Sequence, residues 1–466
     1  MRYYISLIFA FWFDATSICQ GQYTILHYFN GVEGSTPVGN LVRSNNLLFG
    51  ITRNGGTYGD GTIFSMDTSG NAFRKLHDFD SIHGCHPYGS IILNGKILYG
   101  MTIYGGKANH GIIFSMDTTG SSFKILLYFN DTNGANPWGS LIYLNNKLYG
   151  MVYSGGPYHG GCIFSIDTDG SAFKDIYDFS IPNGAYPTGT LINSDKYFYG
   201  MTQEDGMYGN VFSVDTNGNN YKDLHDFQEI SNDGVDPYGD VTIFGGKLFG
   251  MTSEGGIPNR GVVFSIDTDG SHYRILVQLF STRIINGSTP YSDLTLLNKR
   301  LYGMTFTGGW YTGGDIFSID TNGFNFRDLH DFDSSGAAPW GSLTASGNLF
   351  YGTATVGGAN NNGVIFKIDT NANITGIDYA KAGLQALTVY PNPASHQITV
   401  QMNAGQNQNI EFEMYNMLGQ RVYDQSLTDQ NGMIYQQIDV SSLSDGIYLL
   451  KVNEGNTFYT QKVIKF

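Results

Sequence analysis

KLYGMVYSGGPYHGGCIFSIDTDGS, residues 147–171, decides the fold. Two runs rich in aromatic and aliphatic residues, KLYGMV and GCIFSID, flank a glycine-rich stretch, and the second run ends in Asp-Thr-x-Gly. Short apolar runs bounded by turn residues read as strands. Working outward, GSLIYL precedes this stretch and SAFKDIYDF follows it, which makes four short strands in one unit of roughly 50 residues. The unit then recurs. Its aromatic-Gly pair lies at Phe49-Gly50, Tyr99-Gly100, Tyr149-Gly150, Tyr199-Gly200, Phe249-Gly250, Tyr302-Gly303 and Tyr351-Gly352. Its aspartate lies at Asp67, Asp117, Asp167, Asp215, Asp267, Asp320 and Asp369, and a proline at Pro37, Pro87, Pro137, Pro187, Pro237, Pro290 and Pro339.

Spacings of 48 to 53 residues between seven successive copies point to propellers, solenoids or arrays. Four strands per unit fit the antiparallel meander of a propeller blade, whereas a β-solenoid usually has a shorter period. The expected fold is all-β: a seven-bladed β-propeller over residues 22–376, then a small β-sandwich. The phase of the repeat adds a prediction. The stretch YTILHYF, Tyr23 to Phe29, reads as a fourth strand, and the seventh unit stops after a third. The first segment should therefore close the ring by completing the last blade, which removes two exposed sheet edges.

Composition agrees. Gly (62), Tyr (32) and Phe (31) are abundant and charged residues make up only 14%, as suits aromatic strands joined by tight turns. The net charge of −15, with no basic cluster, disfavours nucleic acid as a partner, because phosphate binding needs lysines and arginines. Arg2 precedes an apolar run, Tyr3 to Phe13, too short for a stable membrane anchor, so residues 1–21 read as a signal peptide. Beyond it only Cys85 and Cys162 remain. They occupy non-equivalent places in two units, so free thiols are expected, and two cysteines alone cannot make a zinc site.

The pattern LYGMT, then Gly-Gly, then GxIFSxDTxG resembles the choice-of-anchor tandem-repeat family known as GloVer repeats, over about residues 23–376. Its strand–GG–strand arrangement is also similar to kelch repeats, with Phe or Tyr where kelch units carry tryptophan. The family has no established activity, so the resemblance implies architecture only. After a linker, residues 377–386, the segments TVYPNPASHQITVQ, EMYNMLGQRVYDQSL, IDVSSLSDGIYLLKV and QKVIKF resemble the type A sorting domain of type IX secretion, over residues 387–466. That resemblance implies export to the outer surface or exterior of a Gram-negative bacterium, with the type IX machinery as partner.

Motifs of catalysis are missing from the sequence: no GxSxG, Walker loop, HExxH or strand-borne GxGxxG occurs, and no cofactor is expected. Scattered acids, Glu204-Asp205, Asp236, Asp240 and Glu254, read as loop carboxylates. The recurring histidines His27, His77, His225 and His330 fall one per unit and read as structural, and Met101, Met151, Met201, Met251 and Met304 as packing between units. Asp-Thr-x-Gly, present six times, reads as a turn rather than a calcium site.

The better candidate is a binding face. The loop entering the first strand carries Pro-x-Gly, with aromatic x at Tyr88, Trp138, Tyr238 and Trp340, and Tyr291 in the variant Pro-Tyr-Ser. The Gly-Gly loop, on the same side of a meander, adds Tyr58, Tyr104, Tyr158, Tyr208, Trp310 and Tyr311. Flat rings stack on sugars or anchor proteins, unless they pack between the units instead. The expected function is a secreted or surface-attached, monomeric binding protein for glycan or protein. The alternatives are a polysaccharide-acting hydrolase or lyase, and a structural surface component.

Overall fold

In the computed structural model, residues 22–181, 184–203, 208–228, 233–257, 259–279, 287–370, 387–416, 420–454 and 457–466 are described. The expected signal peptide, the linker 377–386 and Glu204-Asp205 lie outside the described residues. The chain divides into two compact units, Met1–Ile374 and Thr375–Phe466.

Among the described residues the first unit is all strand and turn, and it contains seven four-stranded antiparallel sheets. The third repeat is representative: Ile142–Leu144, Lys147–Val152, Cys162–Asp167 and Lys174–Asp178 follow one another as a meander. The aromatic-Gly beat has a steric cause. Gly150 faces Phe164 across the second and third strands, and a Cβ there would sit 2.7 Å from the Phe164 ring. The glycine makes room for the buried Phe of the IFS motif, an arrangement repeated at Gly50 and Phe64 and at Gly303 and Phe317.

Apolar clusters straddle successive sheets. Tyr99, Met101 and Ile113 of the second repeat pack with Leu141, Leu148, Phe164 and Ile166 of the third. Tyr351 and Ile365 of the seventh pack with Phe29, Leu41, Leu48, Phe64 and Met66. The methionines after the aromatic-Gly pair are buried here, as their packing role requires. Each recurring histidine stacks on an aromatic ring of the adjoining sheet: His27 on Phe73, His77 on Phe123, His225 on Tyr273 and His330 on Tyr23, with centroids 3.6–4.0 Å apart. Burial pushes His77 and His330 down to about 4, so both are neutral at neutral pH.

The strand Gln22–Tyr28 pairs antiparallel with Val364–Asp369, from Gln22 opposite Asp369 to Tyr28 opposite Val364. One repeat thus draws its outer strand from the other end of the repeat array. The Asp-Thr-x-Gly segments are turns: Asp67 Oδ1 accepts from the Ser69 and Asn71 amides, and Gly70 takes φ +93°. One reading needs correction. GSLIYL was expected as a full first strand, yet only Ile142–Leu144 pairs. Gly139 and Ser140 are drawn to the neighbouring repeat instead.

The second unit is a five-stranded antiparallel sheet. Gln397–Asn416 pairs along its length with Arg421–Asp439, while Thr388–Tyr390 pairs with its start and Gly446–Glu454 with its end. Ile398, Val400, Phe412, Leu450 and Val463 lie in its core. Among the described residues no helix is long and apolar enough to cross a membrane.

Candidate binding face and axial site

The residues after Pro-x-Gly meet at one point. Each repeat has a short polar side chain there, and each backbone N–H donates to the side chain of the next. Asn40 donates to Ser90 Oγ (2.6 Å), Ser90 to Ser140 Oγ (2.7 Å), and Ser140 to Thr190 Oγ1 (3.0 Å). Thr190 donates to Asp240, Asp240 to Asp293 Oδ1 (2.6 Å), and Asp293 to Ser342 Oγ (2.6 Å). Ser342 then donates to Asn40 Oδ1 (2.5 Å), so the series returns to its start.

This convergence explains the glycine of Pro-x-Gly. A Cβ at Gly89 would lie 2.1 Å from the Gly139 carbonyl oxygen, at Gly139 2.0 Å from that of Gly189, and at Gly341 2.1 Å from that of Gly39. At these three positions the backbones approach too closely for a side chain, whereas the sixth repeat places Ser292 there, its hydroxyl donating to the Met304 carbonyl oxygen (3.0 Å). The half-open pocket these loops line is small, about 60 Å³, a space that holds a few waters. Asp240 and Asp293 are its carboxylates. Burial, then the Asp293 charge, pushes the Asp240 carboxyl well above the usual range. Both acids accept backbone N–H groups of the series, which is a structural task.

The aromatics of Pro-x-Gly stand around this cavity and pack on one another. Trp138 lies 4.8 Å from Tyr88, Tyr88 5.4 Å from Trp340, Trp340 4.4 Å from Tyr291, and Tyr291 4.8 Å from Tyr238. Tyr88 is buried, and the other four are half-buried. Of the two uses open to these rings, stacking on a ligand or packing between the repeats, their placement is the second: the loops converge here, and the rings cover each other's apolar faces. The ring series is interrupted at the fourth repeat, where Thr188 takes the place and Gln203 Nε2 donates to Asp236 Oδ1 (2.7 Å).

The Gly-Gly loops lie at the same end, since Cys85 and Tyr104 exchange backbone hydrogen bonds between the two loop types. Gly155 and Gly156 take φ +81° and +75°, which only glycine adopts readily. The loop backbones are tethered by the end of the fourth strand: Asp78 accepts from the Thr57 N–H (2.9 Å), Gln278 from Ile257 (2.7 Å) and Asp331 from Trp310 (2.7 Å). From the Gly-Gly loops Tyr58 (64% exposed), Tyr158 (65%), Trp310 (48%), Tyr311 (53%) and Tyr104 (39%) project. Tyr208 does not. It packs against the cluster of Tyr199, Met201 and Phe227, because it precedes Gly209 at the loop's base and not at its tip.

Of the axial polar residues the sequence reading singled out Asp240 alone, as a loop carboxylate, although the signal was legible: Asn, Ser, Ser, Thr, Asp, Asp and Ser stand at one position of the seven repeats. It also missed the buried acids of the RDLHD strand. Asp328 is pushed up to about 8, first by burial and then by Asp315 and Asp331, and its Oδ1 has no partner. The loop acid Asp236 accepts from Gln203 Nε2 and its carbonyl oxygen from Ser253 Oγ (2.8 Å).

No curated protein sequence matches the chain. Among solved structures, it is similar to a puromycin hydrolase (10% identity, TM-score 0.50, covering 81% of this chain and 60% of that one). It is also similar to a puromycin-hydrolyzing peptidase of Mycobacterium tuberculosis (11%, TM-score 0.47, 81% and 60%) and to TolB from Acinetobacter baumannii (17%, TM-score 0.34, 52% and 53%). The chain spans between 53% and 60% of the length of these three structures. At 10% identity the likeness to the puromycin hydrolase is one of fold alone, a propeller-like array of four-stranded sheets. The family model described as the Gloeobacter/Verrucomicrobia repeat matches residues 11–208, 98–309 and 207–382, and the secretion system C-terminal sorting domain matches residues 388–465. The chain therefore belongs to the Gloeobacter/Verrucomicrobia repeat family and ends in a type IX sorting domain, which marks it for the exterior or outer surface of a Gram-negative bacterium.

Proposed function

We propose that residues 22–376 form one closed, seven-bladed propeller acting as a binding module, and that its ligand is a glycan or a protein. On this reading residues 387–466 are a β-sandwich that directs it through type IX secretion. Closure is supported by the axial series that returns from Ser342 to Asn40 and by the pairing of Gln22–Tyr28 with Val364–Asp369. The observation that carries the binding reading is the set of exposed rings, Tyr58, Tyr104, Tyr158, Trp310 and Tyr311, with the loops of Tyr58 and of Trp310 and Tyr311 held from below through Asp78 and Asp331. Ordered loops present rings at little entropic cost, and exposed aromatic rings are the residues most able to dominate a binding interface. Catalysis at the axis is disfavoured because its two acids, Asp240 and Asp293, are engaged in the axial hydrogen bonds. The test is an array of polysaccharide fragments and extracellular proteins probed with the secreted chain. Specific retention of one chemical class is expected; hydrolysis or elimination products from an array glycan would replace this reading with the enzymatic one.

A further inference from the structure

Three side chains that break the repeat meet beside Tyr104. Asp60 comes from the glycine loop of the first repeat, Cys85 and His86 from the segment entering Pro87 of the second. The Cys85 Sγ, a carboxylate oxygen of Asp60 and an imidazole nitrogen of His86 all lie within 4.8 Å of one another. His86 Nε2 is 3.9 Å from Asp60 Oδ1. A backbone bond from the His86 N–H to the Asp60 carbonyl (2.8 Å) ties the two segments, and its counterparts recur between other neighbouring repeats, such as Asn136 to His110 and Ala338 to Gly313. The backbone is thus common property, and only this junction carries these side chains. At the Cys85 position the other repeats have Ser35, Ala135, Ala185, Val235, Ser288 and Ala337, and none has histidine at the His86 position.

The surroundings orient each group as a ligand. His86 Nδ1 lies 3.1 Å from the Arg53 carbonyl oxygen. A proton on Nδ1 donates there, which leaves Nε2 with its lone pair toward Asp60 and Cys85. Asp60 Oδ2 accepts from Ser81 Oγ (2.6 Å), which fixes the carboxylate plane. Cys85 is buried and free. One sulfur, one imidazole nitrogen and one carboxylate oxygen form a borderline-soft set suited to zinc-like ions, whereas calcium and magnesium take oxygen ligands. Bonds of about 2.0–2.3 Å place tetrahedral ligand atoms about 3.5 Å apart, so a contraction of about 1 Å suffices.

We infer that Asp60, Cys85 and His86 form a binding site for a zinc-type divalent transition-metal ion, with three protein ligands and the fourth position left to solvent. The ion replaces the thiol proton of Cys85 and clamps the first repeat's glycine loop to the base of the loop holding Tyr104. The site escapes motif reading because Asp60 stands 25 residues before Cys85 and arrives from the neighbouring repeat.

The test is titration of the metal-free, reduced full-length secreted protein with Co²⁺, read in the near-ultraviolet thiolate-to-cobalt band and the visible d–d bands, then displacement by Zn²⁺. One equivalent should bind with a thiolate band. Cys85→Ser should abolish that band, and His86→Gln should weaken binding at least tenfold, with Cys162→Ser unchanged. Far-ultraviolet circular dichroism of the metal-free variants checks folding, and His86→Gln, changed at a part-exposed ring, decides the matter if Cys85→Ser does not fold. The inference is overturned if the parent gives no thiolate band, if the band survives Cys85→Ser, or if binding is unaffected by His86→Gln. A band lost only in Cys162→Ser would assign the metal to the cluster of Cys162, Asp175 and Asp178 and overturn it equally.

Discussion

The backbone N–H of Ser342 donates to Asn40 Oδ1, a hydrogen bond spanning 302 positions of sequence. It joins the seventh repeat to the first at the axis, where the other six bonds of the series run between consecutive repeats. Replacing Asn40 by Ala leaves the Ser342 amide without its acceptor, at a cost of about 1–2 kcal/mol. Thermal melting of Asn40→Ala should show that loss. Deleting residues 22–30 should cost more and promote aggregation, because it uncovers the edge of Val364–Asp369. A truncated chain that melts like its parent would refute closure.

Steric crowding at the axis predicts a contrast between two glycines. At Gly139 an added Cβ meets the Gly189 carbonyl oxygen at 2.0 Å, so Gly139→Ala should lose about 3 kcal/mol or more as backbone is forced apart. At Gly95 nothing lies within 4 Å, and only its φ of +62° opposes alanine. Gly95→Ala should therefore cost about 1 kcal/mol. Equal melting temperatures for the two variants would contradict the close approach.

Asp328 predicts a pH dependence with a definite sign. Its folded pKa, about 8, lies above the usual carboxylate range, so the fold favours the protonated acid. That contribution is full below about pH 4 and is lost as pH rises through about 8. Asp328→Asn cannot ionise. Its stability relative to the parent should improve by about 5 kcal/mol between pH 4 and pH 9, in denaturant titrations at both ends. A constant difference would show that Asp328 is not held protonated.

How much of this was legible follows from the physics of repetition. The aromatic-Gly beat, the Asp-Thr-x-Gly turns and the fourth-strand phase of Tyr23 to Phe29 are local patterns, and the strands and register follow from them. The site was less legible because identical residue types served different ends. Trp340 and Trp310 look alike in sequence, yet one stacks on Tyr291 beside the axis and the other projects from a loop tip. What separates them is convergence, which depends on distance from the axis. Likewise Asp60 and His86 sit in different repeats, and only sheet-to-sheet packing brings them to 3.9 Å.

The sorting domain predicts a localisation phenotype. Removing residues 387–466 should leave a folded repeat unit retained in the periplasm, since the matched sorting domain covers residues 388–465. Fractionation and surface proteolysis read the outcome. Normal surface delivery of the shortened chain would contradict the assignment.

The central claim is that the exposed loop rings recognise a ligand while the axial rings hold the fold. The most direct measurement is affinity and melting temperature together, on Trp310→Ala, Tyr311→Ala and Trp340→Ala, with a ligand found for the parent. The first two should lose about 1 kcal/mol or more of binding free energy each and melt like the parent. Trp340→Ala should lose about 3 kcal/mol of stability. Unfolded Trp310 and Tyr311 variants, or affinity unchanged in both, would contradict the account.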